Sequence, residues 1–186
     1  MRIIGGTARG VHLKSLRGMA VRPTGDKARE AFFDSIQGRL EGSVFLDCCA
    51  GTGVVGIEAL SRGAAFVLFI DESPRALGLI RENLSRCRFS TGYRILKGDF
   101  RNLLIRRTLE PGRFDISYFD PPYESGLYFD FVRILAREDL VAPRGVVAVE
   151  HSKHTALPAE FSSRLKPWKT LRHGEIVIEM FIREPE

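Results

Sequence analysis

The sequence predicts an α/β fold: a mostly parallel sheet closed by a C-terminal antiparallel hairpin, preceded by a small N-terminal β-hairpin. Three observations predict it. From Gly42 onward, short apolar runs alternate with helical stretches, the pattern of parallel strands joined by right-handed crossovers. An aspartate follows each of the first four such strands, at Asp47, Asp71, Asp99 and Asp120, spaced 24, 28 and 21 residues apart. The tail breaks the alternation, because Ser163–Leu171 and Glu175–Ile182 are joined only by Arg-His-Gly.

Residues 2–14 hold glycines suited to tight turns and an alternating Val11/Leu13 pair, which together read as a hairpin. Arg22-Pro-Thr24 reads as an extended connection, so residues 1–22 form a basic hairpin extension and 23–186 one larger domain. Thr24 or Asp26 caps a helix running to about Leu40, with Ala28, Ala31, Phe32 and Ile36 on one face. Val44–Leu46 is a strand, followed by a glycine loop and a helix over Val54–Ser61. Phe66–Ile70 is a strand and Pro74–Arg86 a helix, with Pro74 in its first turn. Tyr93–Leu96 and Asp115–Phe119 are strands; a helix over Tyr128–Ala136 leads to a strand at Val146–Glu150.

At 186 residues the chain is long enough to bury a sizeable core. No apolar run reaches membrane-spanning length, and the N-terminus lacks the apolar stretch of a signal peptide, so a cytoplasmic protein is expected. Cys48, Cys49 and Cys87 form no metal-ligand spacing and are too few for a disulfide framework. No metal is expected. The net charge is +5, yet residues 1–29 alone hold seven Lys/Arg against one acid, so the rest of the chain sums to −1. This N-terminal patch, with Arg2, Arg9, His12, Lys14, Arg17 and Arg22, is expected to meet a polyanion, nucleic acid first.

Asp47 opens Asp-Cys-Cys-Ala-Gly51-Thr-Gly53-Val-Val-Gly56, a G-x-G-x-x-G loop between strand and helix, with Asp71 twenty residues beyond Gly51. That spacing fits a nucleotide's ribose on Asp71. Charge distinguishes the nucleotides. Asp47, Asp99 and Asp120 at neighbouring strand ends repel a pyrophosphate and so disfavour NAD. They suit S-adenosylmethionine (SAM), which carries an ammonium and a sulfonium and no phosphate; one such contact is worth about 1–4 kcal/mol at ~4 Å.

Asp120-Pro121-Pro122-Tyr123 follows the fourth strand. The prolines remove two N–H donors. What remains is a carboxylate, free carbonyl oxygens and an aromatic ring, a set that accepts from a planar NH2 group and stacks on the ring bearing it. The residues therefore point to an exocyclic amine on a flat substrate. They leave open guanine N2, adenine N6, cytosine N4 and a glutamine amide. An NAD-dependent oxidoreductase and a non-catalytic RNA-binding module are the readings from other classes.

With these motifs assembled, the chain resembles the Rossmann-like, SAM-dependent methyltransferases that modify amines. It is most similar to the RsmD family, which methylates guanine N2 in 16S ribosomal RNA. The matching stretches are Arg2-Ile-Ile-Gly-Gly, Arg22-Pro-Thr24 with Arg29-Glu30, Leu46–Gly53, Glu58–Gly63 and Asp120–Tyr123. The resemblance implies that Asp47, Gly51 and Gly53 border the methionine part of SAM, and that Asp71 binds the ribose. Asp99 would accept from the adenine amine, beside Phe100. Asp120 and the Pro121 carbonyl would grip the target amine, and Tyr123 would stack on the base. Arg29 would pair with the methionine carboxylate. It also implies a 16S rRNA or small-subunit particle as partner. A monomer without membrane attachment is expected.

Overall fold

The computed structural model describes residues 1–15, 23–105, 112–121, 127–155 and 164–185. Seven strands form one sheet: β1 (Val44–Cys48), β2 (Phe66–Asp71), β3 (Tyr93–Lys97), β4 (Phe114–Phe119), β5 (Val141–Ser152), β6 (Leu165–His173) and β7 (Ile176–Arg183). Their order is β3-β2-β1-β4-β5-β7-β6. The first five strands pair in parallel, and β7 pairs antiparallel with both β5 and β6. The chain thus builds outward from β1 to β3, then returns to add β4 on the other side of β1. A crevice forms beyond the carboxyl ends of the strands at such a switch point.

The helices are α1 (Pro23–Ser35), α2 (Val54–Ser61), α3 (Pro74–Arg86), α4 (Phe100–Ile105) and α5 (Tyr128–Arg137). One apolar cluster joins one sheet face to α1, α2, α3 and the N-terminal residues Ile3, Ala8 and Leu13. The other joins the opposite face to α4 and α5. Strands covered on both faces explain why Phe66–Ile70 and Val146–Val149 are continuously apolar. Ser73 caps α3, its Oγ accepting from the Ala76 N–H, and Pro74 opens the helix as expected.

Four expectations change. α1 begins at Pro23 and ends at Ser35; a short 3-10 turn, Gln37–Arg39, carries the chain to Leu40. α4 was not expected, since six residues are too few to show a helical period. β5 starts at Val141 rather than Val146, because Pro143-Arg-Gly145 is absorbed as an irregularity between the Phe114↔Val141 and Ile116↔Val146 pairs. The N-terminal hairpin is held by a single antiparallel bridge, Arg2↔His12. It is not a free arm. The N–H groups of Ile4 and Gly5 donate to the Glu58 carboxylate, that of Ala8 to Ser61 Oγ, and that of Lys14 to Asn83 Oδ1. The C-terminal hairpin forms as expected, with Pro167 tolerated in the edge strand β6 at a register shift.

Candidate active site

A cleft of about 670 Å³ opens at the switch point, lined by Asp47, Gly51, Asp71, Asp99, Phe100, Asp120 and Pro121 among others. The carboxylates expected at four successive strand ends therefore share one cavity. Asp47 is buried at 3% exposure, and its Oδ2 accepts from the Gly56 N–H in the first turn of α2 at 2.8 Å. Burial raises its pKa to about 7; the Gly56 bond opposes this, and the Asp71 charge adds to it. Asp71 pins the glycine loop, its Oδ2 accepting from Gly51 N–H and its Oδ1 from Ser73 N–H, both at 2.8 Å. Asp99 is gripped by Arg101, whose Nε and Nη2 donate to its two oxygens, holding the carboxyl below the ordinary range.

The loop geometry follows from its glycines. Gly53 sits at φ 74°, the left-handed region, and precedes α2. A Cβ on Gly56 would lie 2.3 Å from the Phe69 ring, so only glycine lets α2 settle against β2. Gly53 shapes the loop but does not line the cleft, whereas Gly51 does. Phe100 packs edge-on against Phe119 and Phe131, which sets its place at the cleft wall.

Asp120 follows β4 directly. Its side chain is exposed to the cleft and accepts no hydrogen bond from the described residues. The surrounding protein mass, then the charges of Glu150 and Asp47, push its pKa well above the ordinary carboxylate value. Pro121 is buried beside it. Pro122 and Tyr123 lie outside the described residues, as do Arg17 and Arg22.

Arg29 is placed away from the cleft lining. It is 6% exposed, and it donates to Glu58 Oε2 at 3.1 Å, to Asp26 Oδ1 at 3.2 Å and to the Arg2 carbonyl at 2.8 Å. Its partners in this structure are protein groups that tie α1, α2 and the hairpin together. Arg2, Arg9, His12 and Lys14 are exposed on the hairpin, and Lys14 pairs with Glu82.

Several lining residues escaped the sequence reading. Cys49 is a non-glycine residue at φ 61° on the cleft wall, a strained conformation that tends to gather at functional sites. Arg101 holds Asp99, and Met1 reaches the cleft from the hairpin. Glu150 is not among the cleft-lining residues, but it stands one step past the last β4–β5 pair, Phe119↔Val149, and its charge acts on Asp120; continuing the strand-end rule to a fifth strand would have found it.

The donor set fits SAM better than a dinucleotide. Five acids line the cleft, namely Asp47, Asp71, Glu72, Asp99 and Asp120. Arg101, the cation among the described lining residues, is already bound to Asp99. A pyrophosphate finds repulsion there; an ammonium and a sulfonium find partners.

The family model described as conserved hypothetical protein 95 matches residues 1–182. This chain belongs to that family. YlbH of Bacillus subtilis is 30% identical over 158 residues, covering 85% of this chain and 86% of its own. The ribosomal RNA small subunit methyltransferase D of Haemophilus influenzae is 29% identical over 157 residues, covering 84% of this chain and 81% of its own. The solved structure of yhhF from Escherichia coli has the same fold, with a TM-score of 0.87 at 24% identity over 100% of this chain and 99% of that one. The RsmD resemblance carried by the sequence motifs is thus matched by the curated relatives, and the family's Rossmann-like sheet is the one observed here.

Proposed function

We propose that this protein transfers a methyl group from SAM to the exocyclic N2 amine of a guanine in small-subunit rRNA. The observation that carries the reading is the meeting of an acid-lined cleft with the Asp120 carboxylate, unpartnered among the described residues, at the end of β4. The naming of relatives as rRNA small subunit methyltransferase D supports the RNA substrate.

In this reading Asp47 and the Gly51 turn hold the methionine end of the cofactor, and Asp71 holds the ribose. Asp99 accepts from the adenine amine beside Phe100. The cofactor supplies a methyl group on a positively charged sulfur, already a good leaving group. The protein's work is then orientation and electrostatics. A guanine N2 is a weak nucleophile, because its lone pair is delocalised into the ring. Asp120 and the Pro121 carbonyl accept its two hydrogens, draw the nitrogen toward tetrahedral geometry and aim the lone pair at the methyl. Asp120 then takes the released proton, a role its raised pKa suits. Tyr123 stacks on the base, which is flipped out of its helix to reach the site.

Arg2, Arg9, His12 and Lys14, with Arg17 and Arg22, contact RNA phosphates, which position the substrate without reading its sequence. The substrate is 16S rRNA or a small-subunit particle, and the enzyme acts as a cytoplasmic monomer. No helix among the described residues is long and apolar enough to cross a membrane.

Asp120→Ala tests the reading. Methyl transfer should fall by about a hundredfold or more, the scale of losing a transition-state hydrogen-bonding group. SAM affinity by calorimetry should change no more than a few-fold. Retained transfer would remove Asp120 from the mechanism.

A further inference from the structure

All nucleobases with an exocyclic amine offer the same NH2 group to Asp120 and Pro121. They differ in the neighbouring ring atom. Guanine has a donor, N1–H, beside N2. Adenine has an acceptor, N1, beside N6, and cytosine has an acceptor, N3, beside N4. A site that takes only guanine needs a second acceptor next to the one that holds the amine.

The β4–β5 register supplies one. Tyr118 pairs with Ala148 and Phe119 with Val149, so the next step sets Asp120 opposite Glu150. Neighbouring strands lie about 4.8 Å apart, and paired residues project to the same face. Tyr118 and Asp120, two residues apart, share that face with Glu150. The Tyr118 Oη donates to Glu150 Oε2, which confirms the shared face. Tyr118 is buried at 1% exposure with its ring 4.7 Å from that of Phe32, so its hydroxyl is a fixed anchor. Among the described residues, none donates a hydrogen bond to Glu150 Oε1 and none forms an ion pair with Glu150. Arg29 acts on it only through its field, being committed to Glu58, Asp26 and the Arg2 carbonyl. One carboxylate oxygen is thus held while the other has no partner among the described residues, one strand from Asp120.

We propose that Glu150 is the guanine-selecting residue of this site. Its free oxygen accepts N1–H while Asp120 and Pro121 hold N2. The same oxygen repels the N1 lone pair of adenine and the N3 lone pair of cytosine. Tyr118 is a positioning residue that fixes the carboxylate. The inference rests on the reading of the cleft as a methyl-transfer site with Asp120 at the amine.

The test replaces the target guanine by 2-aminopurine in rRNA assembled into small-subunit particles. This base keeps the amine at C2 but carries an acceptor at N1. The wild-type enzyme should methylate guanine about tenfold to a hundredfold faster than 2-aminopurine, the scale of a hydrogen bond to a charged group. Glu150→Gln keeps an acceptor for Tyr118 but can also present an NH2 to an N1 lone pair. Its preference should collapse to within a few-fold of unity, with SAM affinity unchanged within about twofold. Equal wild-type rates on the two bases, or a full preference in Glu150→Gln, would overturn the assignment while leaving amine methylation standing. A wild-type enzyme that modifies neither base would overturn the underlying reading, and this assignment with it.

Discussion

At Asp47, burial first of all, and the Asp71 charge after it, hold the carboxyl up to about 7 against the opposing Gly56 bond. The folded value thus lies above the value of 3.8 that the group takes when free. A carboxyl raised in this way favours the folded state most when protonated. Its contribution is fully present below about pH 4 and is lost as pH rises through about 7. Asp47→Asn keeps an acceptor for Gly56 and removes the charge. It should raise the melting temperature at pH 8 and leave it nearly unchanged at pH 4, while weakening SAM binding at pH 8, where Asp47 is ionised, more than at pH 4. Thermal unfolding at the two pH values and calorimetry check this; a destabilised variant at pH 8 would contradict it. At this scale the sequence showed the aspartates by spacing and their carboxylate chemistry by residue type. It did not show which were already engaged. Asp71 and Asp47 are partly spent on the glycine loop, and Asp99 is held by Arg101, whereas Asp120 is unpartnered among the described residues. Such partnerships depend on backbone N–H directions, which spacing does not encode.

Among the elements, the helix–strand alternation was legible because β1, β2 and β4 are buried on both faces and read as apolar runs. The N-terminal hairpin was legible as a turn-rich segment but not as part of the core. Its attachment rests on Glu58, a glutamate inside α2 at 0% exposure, which accepts from Ile4, Gly5, Arg29 and Arg62. A buried carboxylate of this kind is tolerated only when its acceptor sites are filled. Nothing in the helical period of Val54–Ser61 announces that role. Glu58→Ala leaves the Arg29 guanidinium, 6% exposed, without its main partner. Breaking one side of a buried pair costs about 3–5 kcal/mol. Urea unfolding should show a loss of that size; a change below about 1 kcal/mol would show the hairpin to be independent of this clamp.

Across the whole molecule, the charge is divided: an excess of cations in residues 1–29 and a slight excess of acids in the rest. The fold turns that division into geometry, with a basic hairpin docked on the face that carries α1 and α2, and an acid-lined cleft at the strand ends. Because Ile3, Ala8 and Leu13 are buried, truncating the hairpin would damage the core, so its charge is better tested by substitution. Replacing Arg2 and Arg9 by alanine should weaken RNA binding and reduce the slope of log affinity against log salt. The expected reduction is about 0.7 per lost phosphate contact for single-stranded RNA and about 0.9 for duplex. An unchanged slope would remove the hairpin from the RNA interface.

The central claim concerns one atom of one base, and transfer of labelled methyl from SAM to unmodified small-subunit particles tests it most directly. After digestion and mass analysis, the label should reside in N2-methylguanosine at a single position. Label on adenine N6 or cytosine N4, or none in the RNA, would contradict the account.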